Sequence, residues 1–299
     1  MSAKICVVGS INADLTVNVE RHPIPGETLM GAGGDITAGG KGANQACAAA
    51  RLGAPVALVG AVGTDANAKP ATALLHEAGV DLTHVEEAAE VTGLAVITVA
   101  ANGENTVLVV PGANARVDAE FVDRHADAVE TAELVLLQGE IPADGFARAV
   151  ELAHGRVVVN LAPVVDVPRK ALVNANPLMA NEHEAGLILK QLGLDGAGTP
   201  EDLARRLLGA GFASVVLTLG SAGAVVAENG ELTHMDSPKV EAVDTVGAGD
   251  AFAGAFCHRI IEGDSMADAA RFACRVGAFS VTRPGAQPSY PSAADTLPS

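Results

Sequence analysis

Short apolar runs rich in Val and Leu alternate along this chain with helical stretches, and that alternation restricts the fold more than any other feature. Ile5–Val8, Val56–Val59, Leu134–Leu137, Val157–Val159 and Val215–Leu219 are short and continuous, the pattern of strands buried on both faces. Between them the sequence predicts helices over Asn44–Leu52, Ala71–Ala78, Asp118–Val129, Phe146–Ala153, Glu182–Leu192 and Leu203–Leu208. Gly53, Gly79 and Gly193 stand where helix C-caps are expected. Two more helices, Asp250–Ile261 and Met266–Val281, close the chain. This order predicts an α/β fold, a mostly parallel sheet flanked by helices. No internal repeat or low-complexity linker divides it, and residues 1–299 are read as one domain.

Two stretches break the rhythm. Leu15, Val17 and Val19 alternate with Thr16, Asn18 and Glu20, a strand with one wet face. Turn residues Pro23 to Gly26 follow, then the glycine-rich Gly31–Gly40. Leu94–Val99 and Thr106–Val110 flank Asn102-Gly103, a hairpin signal lengthened by Glu104 and Asn105. Both stretches are expected to be antiparallel excursions that form a small lid sheet, from about 12–40 and 93–112, with an apolar face for a second subunit.

Composition narrows the function. The net charge is −17 and no basic tract stands out, so nucleic acid and membranes are not expected partners. An acidic protein with an anionic substrate needs a local device to hold it. No apolar run approaches the ~20 residues of a membrane span, and no secretory leader is evident. Cys6, Cys47, Cys257 and Cys274 form no CxxC pair and sit in apolar segments. Reduced, buried thiols in a cytoplasmic protein are expected.

The sharpest local feature is Asp244-Thr245-Val246-Gly247-Ala248-Gly249-Asp250, which runs into a helix. Free N–H groups and the helix dipole at such a start make an anion cradle. Asp250 beside it either accepts a proton from an attacking hydroxyl or merely caps the helix. Ala38 to Gln45 mimics a P-loop but fails at both ends: Asp35 stands where the first glycine belongs, and Gly42 follows Lys41. What remains is a glycine turn with Lys41 and Asn44 at a helix mouth. That turn either approaches a small polar ligand or simply joins strand to helix.

Asn12 and Asp14 lie beyond the carboxyl end of the first strand, where open α/β sheets bind ligands. Their spacing of two puts both side chains on one face of an extended segment, suited to a polyol, or else they form Asx turns. Asn181 and Glu184 are spaced as a capping box, or as a pair near a hydrated Mg²⁺. Thr218 to Gly223 either wraps a nucleotide or is a hairpin turn.

In order and spacing, six segments resemble the ribokinase family, within the ribokinase-like (PfkB) sugar kinases. They are Gly9–Asp14, Gly39–Gln45 (GGKGANQ), Pro111–Ala115, Asn181–Glu184, Leu217–Gly223 and Asp244–Asp250. The resemblance implies a central, mostly parallel sheet with a β-sheet lid, homodimers paired through the lids, and ATP-dependent phosphorylation of D-ribose at O5. It implies Asp250 as catalytic base and Gly247, Ala248 and Gly249 as anion hole. Asn12, Asp14, Gly40, Lys41, Gly42, Ala43, Asn44, Glu140 and Asp250 fall on sugar-binding positions. Asn181, Glu184, Thr218, Leu219, Gly220, Ser221, Ala222, Gly223, Gly249 and Cys274 fall on nucleotide or Mg²⁺-linked positions. Asp244, Val246, Ser280, Arg283, Gly285 and Ser289 fall on a K⁺ loop. Two residues depart from the pattern: Ala180 stands where proline is common, and Cys274 where histidine or asparagine often lines the adenine pocket. The alternatives are another member of the group (deoxyribokinase, fructokinase, adenosine kinase) and a non-catalytic sugar-binding regulator, against which the intact Gly247–Asp250 argues.

Overall fold

The computed structural model describes residues 3–299. Among these, the strands of the first half are β1 (Ile5–Val8), β2 (Asn12–Val19), β3 (Ala32–Gly39), β4 (Val56–Gly63), β5 (Val85–Ala88), β6 (Gly93–Ala100) and β7 (Asn105–Val110). The second half adds β8 (Leu134–Gln138), β9 (Arg156–Asn160), β10 (Leu178–Asn181), β11 (Ser214–Thr218), β12 (Ala224–Glu228) and β13 (Glu231–Met235). The helices are α1 (Lys41–Arg51), α2 (Ala68–Ala78), α3 (Ala119–Arg124), α4 (Ala126–Glu130), α5 (Ala143–Leu152), α6 (Arg169–Leu172), α7 (Glu182–Gln191), α8 (Pro200–Gly209), α9 (Ala248–Ile261) and α10 (Met266–Ser280).

A large sheet runs β13-β12-β11-β10-β9-β8-β1-β4-β5, parallel from β11 to β5 and antiparallel at β12 and β13. Alternate residues of its strands feed two cores. Ile5 and Val7 pack with α1, α2, α9 and α10, whereas Cys6 and Val8 pack with α3 to α8. Burial on both faces is why these strands read as unbroken apolar runs. All four cysteines are buried and unpaired, and burial raises the pKa of each thiol. No helix among the described residues is long and apolar enough to cross a membrane.

From β1 the chain builds outward to β4 and β5, then returns to β1's other edge and builds through β8 to β11. The strand order therefore switches between β1 and β8, and the crevice beyond the carboxyl ends there is where such sheets take ligands. Ser10, Glu140, Asn160, Asn181 and Thr218 all lie at or just past those ends.

The small sheet runs β3-β2-β6-β7. Its outer pairs are antiparallel, as expected, but its central pair β2–β6 is parallel. Both hairpins thus rise in the same direction and join side by side. Ile36 and Val107 through Val110 are 43–71% exposed on it.

Four other elements differ from expectation. The helix foreseen over Asp118–Val129 breaks at His125 into α3 and α4, because His125 leaves helical geometry at φ −114° and ψ 23°. The four-residue strands β5 and β10 were not foreseen, nor was the β12–β13 hairpin. That hairpin turns on Asn229 and Gly230, at φ 53° and 80°, the left-handed pair that a two-residue turn requires.

Helices α1 and α9 cross in backbone contact at Gly254, where a Cβ would stand 2.5 Å from the Gln45 carbonyl oxygen and 2.7 Å from the Ala48 Cβ. Gly254→Ala should therefore force the helices apart and cost about 1–3 kcal/mol, as overpacking does. A urea melt with an unchanged midpoint would show that the crossing has slack.

Candidate active site

The site is built on two helix starts that face each other across the switch point. Gly247, at φ 74°, is the N-cap of α9, and no side chain caps that helix. The Tyr290 hydroxyl donates to the Gly247 carbonyl at 3.1 Å. A Cβ at Gly247 would stand 2.6 Å from both the Tyr290 hydroxyl and the Ala286 Cβ, so only glycine fits. Ala251 N–H makes the first helical bond, to Gly247 at 2.8 Å, and Ala248 N–H is tied to Thr245 at 3.3 Å. The amides of Gly249 and Asp250 lie ahead of the helix's own bonds. Space beside Gly249 is open.

Asp250 is the third residue of α9 and is 6% exposed. Its carboxylate does not cap the helix: Oδ2 accepts from Asn44 Nδ2 at 3.0 Å and Oδ1 from Gln45 Nε2 at 2.9 Å. The capping alternative is thereby excluded. Asp250 instead projects into a cleft that Lys41, Asn160, Asn181, Glu184 and Thr218 also line.

Gly40, at φ 87°, precedes α1 and passes over the β1–β2 joint, where a Cβ would meet the Asn12 amide nitrogen at 2.7 Å. Gly42 N–H donates to the Ser10 hydroxyl at 3.2 Å, and Ala43 N–H to the Ser10 carbonyl at 2.8 Å. The Ser10 hydroxyl donates to Glu140 Oε2 at 2.5 Å, which also accepts from Lys41 N–H at 3.0 Å. The acidic neighbours, Asp250 foremost, raise the Lys41 pKa against burial and keep its ammonium charged.

Asn12 and Asp14 sit in β2, not in Asx turns. Asn12 Oδ1 accepts from Asn114 Nδ2 at 2.7 Å, which leaves the Asn12 amide nitrogen for a ligand. Asn114 also accepts from Ile11 N–H at 2.9 Å, so one side chain fixes both the β1–β2 joint and the Asn12 amide. The Asp14 carboxyl lies directly over Gly39, where a Cβ would overlap it. Burial, then Glu140 and Asp250, push Asp14 up to about 7, with Lys41 opposing. Its Oδ1 is buried without a hydrogen-bond partner. A buried lone acceptor is costly unless a donor reaches it, and a ligand hydroxyl is such a donor.

Asn181 and Glu184 form the full capping box of α7, with both reciprocal bonds at 2.8 Å. That pins Glu184 at the cleft with its other oxygen unspent, a donor suited to a hydrated Mg²⁺. Thr218 to Gly223 is a tight turn between β11 and β12, with Gly220 and Gly223 at φ 57° and 97°. Cys274 is buried in the core on α10 and does not line the cleft at Asp250.

Asp244 joins two loops: Oδ1 accepts from Val246 N–H at 3.0 Å and Oδ2 from Gly285 N–H at 2.8 Å. Both loops are further tied by Val243 N–H to Val281 at 2.7 Å. The hydroxyls of Ser280 and Ser289 bond Gly277 and Ala286, each at 2.8 Å, and Arg283 lies over the Phe279 ring at 3.8 Å. The Asp244 carboxylate is a hard oxygen donor, and each of its oxygens already accepts from one loop N–H.

Sequence reasoning gave no role to Ser10, Gln45, Asn114, Gln138, Asn160 or Gln287. Ser10, Gln45 and Asn114 lay inside quoted motifs. The others are lone polar residues at strand ends or in a late loop, without a local pattern to single them out.

The sequence signature described as pfkB family carbohydrate kinase matches residues 2–293. Ribokinase of Schizosaccharomyces pombe is 38% identical over 303 residues, 96% of this chain and 95% of its own. Deoxyribokinase of Salmonella typhimurium is 35% identical over 293 residues, again 96% and 95%. The crystal structure of ribokinase from Thermotoga maritima superposes with a TM-score of 0.91 at 32% identity over 97% of both chains. Arabidopsis thaliana ribokinase complexed with ribose and ATP gives 0.89 at 33% identity, over 98% of this chain and 97% of that one. With its signature, its relatives and its ribokinase-like architecture in agreement, the chain belongs to the pfkB family of carbohydrate kinases.

Proposed function

We propose that this protein phosphorylates D-ribose at O5 with ATP, giving D-ribose 5-phosphate and ADP. The observation that carries the reading is the buried, unpartnered Asp14 Oδ1, close enough to feel the charges of Glu140, Asp250 and Lys41, with the open amides of α9 beside Asp250. Asp14 accepts from a vicinal hydroxyl pair, which favours ribose over 2-deoxyribose. Asn12, Asn44, Lys41, Glu140 and the backbone of Gly40, Gly42 and Ala43 complete the sugar cradle. Asp250 takes the proton from O5 as that oxygen forms its bond to the γ-phosphorus and the bond to ADP breaks. The amides around Gly247, Ala248 and Gly249, with the α9 dipole, hold the developing charge. Lys41 adds fixed positive charge.

Asn181 and Glu184 would hold Mg²⁺ through water, and the ion would neutralise phosphate charge. Thr218 to Gly223 and Gly249 lie along the nucleotide, with Cys274 behind the adenine. Asp244, Val246, Ser280, Arg283, Gly285 and Ser289 would surround K⁺, which would stiffen the turn ahead of the anion hole. The small sheet, 12–40 and 93–112, acts as a lid over the sugar, and its exposed apolar strands pair in a cytoplasmic homodimer. Deoxyribokinase is the second reading, favoured by the 35% identical relative. An ADP-release assay over ribose, 2-deoxyribose, fructose and adenosine separates them, with ribose expected to give the highest kcat/KM.

Five outcomes are expected. Asp250→Asn lowers kcat by roughly 10²–10⁴, the usual worth of a general base, while ribose binding persists. Near wild-type turnover would remove Asp250 from the chemistry. Asp14→Ala raises the ribose KM at least ~tenfold, since a hydrogen bond to a charged acceptor is worth about 1.5–3 kcal/mol. Moreover, only the carboxylate accepts from two hydroxyls, and Asp14 gives up its proton at about 7. The ribose KM of the wild type should thus fall as pH rises through neutrality, and Asp14→Asn should flatten that dependence. Replacing Na⁺ by K⁺ at fixed ionic strength should raise turnover severalfold, and Asp244→Ala should abolish the response. Sedimentation in the micromolar range should show a dimer; a strict monomer would leave the lid's apolar strands unexplained.

A further inference from the structure

The carboxylate read above as the base is held from behind by a residue that touches neither cleft nor sugar cradle. Gln45 is fully buried. Its Nε2 donates to Asp250 Oδ1 at 2.9 Å and to Asn160 Oδ1 at 2.9 Å, and its Oε1 accepts from Gln138 Nε2 at 2.7 Å. Gln138 and Asn160 are direct register partners at the carboxyl ends of β8 and β9. Gln45 therefore ties the rim of the large sheet to the start of α9.

The orientation of its amide is forced. A carboxylate cannot donate, so Asp250 demands an N–H. Asn160 has committed its own amide nitrogen to the Met179 carbonyl at 3.2 Å, so it too presents an acceptor. Only the NH₂ end of Gln45 can face both. The neighbouring Asn44 supplies the second donor, to Oδ2, and its own Oδ1 is fixed by Gln287 Nε2 at 3.0 Å. Each carboxylate oxygen thus receives one amide N–H, which stops the group rotating and leaves its remaining lone pairs toward the cleft.

We propose that Gln45 is the positioning residue of Asp250: its amide fixes the angle of the carboxylate, without itself meeting substrate. The proposal rests on Asp250 being the base. Asn44 differs, because it also lies in the sugar cradle.

The test is the pH dependence of kcat and KM for Gln45→Met and Gln45→Glu beside Asp250→Asn. Gln45→Met removes the donor at nearly constant volume. It should lower kcat about 10–100-fold, the scale of a small misplacement at a reacting centre, with both substrates' KM within about twofold. The acidic limb of its profile should move to higher pH, because the carboxylate has lost a donor. In Gln45→Glu the new carboxyl donates the same bond while protonated and repels Asp250 once ionised, so kcat should hold at low pH and fall as pH rises. The two variants thus move in opposite directions. A residue that merely fills space would lower stability and scale kcat equally at every pH. Unchanged profile shapes in both variants overturn the proposal while the role of Asp250 stands. Turnover retained in Asp250→Asn overturns both. Should Gln45→Met fail to fold, the profile of Gln45→Glu decides.

Discussion

Everything at this site depends on how near α1 comes to α9. The two helices touch backbone to backbone at Gly254, and from that crossing Asn44 and Gln45 reach one turn along to grip Asp250. Burying a carboxylate is unfavourable unless its oxygens find donors. Here both oxygens do, from consecutive residues of one helix. The contact that makes the buried charge tolerable is also the one that aims it, so packing and chemistry share a single set of bonds. The glycine turns at Gly40 and Gly247 answer other contacts, with the β1–β2 joint and with Ala286 and Tyr290, which each start must pass without a Cβ.

The charge arrangement answers how a chain of net charge −17 can hold phosphate. Bulk charge repels the ligand, yet the field in the cleft is set by near groups. The fixed positive elements are the α9 dipole, its unspent amides and the Lys41 ammonium. Asp14, Glu140 and Asp250 gather around that lysine and keep it charged. The four are not neutralised as pairs. Asp14, with burial and two like charges against one lysine, keeps its proton up to about 7. The cradle therefore holds three carboxyl groups without three full charges at neutral pH.

Much of this was legible from the chain and some was not, for physical reasons. Strands of the large sheet buried on both faces, such as Ile5–Val8, announce themselves because no wet face interrupts the apolar run. Helices over Glu182–Gln191 and Met266–Ser280 carry their own start signals. By contrast β10 is four residues long and β13 is a polar edge strand, so neither has the periodicity that marks a strand. Asn229-Gly230 was a turn signal that went unread, because the apolar run of Ala224–Ala227 before it offered no alternation. Asn12, Asp14 and Asp250 were found from motif and resemblance. The polar residues behind them were not, because Gln138 and Asn160 become neighbours only through the register of β8 on β9. No local pattern encodes a cross-strand pair.

One feature of the α9 start bears on how the protein can be watched. The chain has no tryptophan and a single tyrosine. That tyrosine, Tyr290, is buried with its hydroxyl on the Gly247 carbonyl, at the turn that opens the anion cradle. The phenol emission of the unlabelled protein therefore comes from one place. Its intensity depends on a hydrogen bond to the cradle itself, so a change in that turn alters the phenol emission with no tryptophan or second tyrosine to mask it. The molecule carries its own optical probe, set one residue behind the first helical amide.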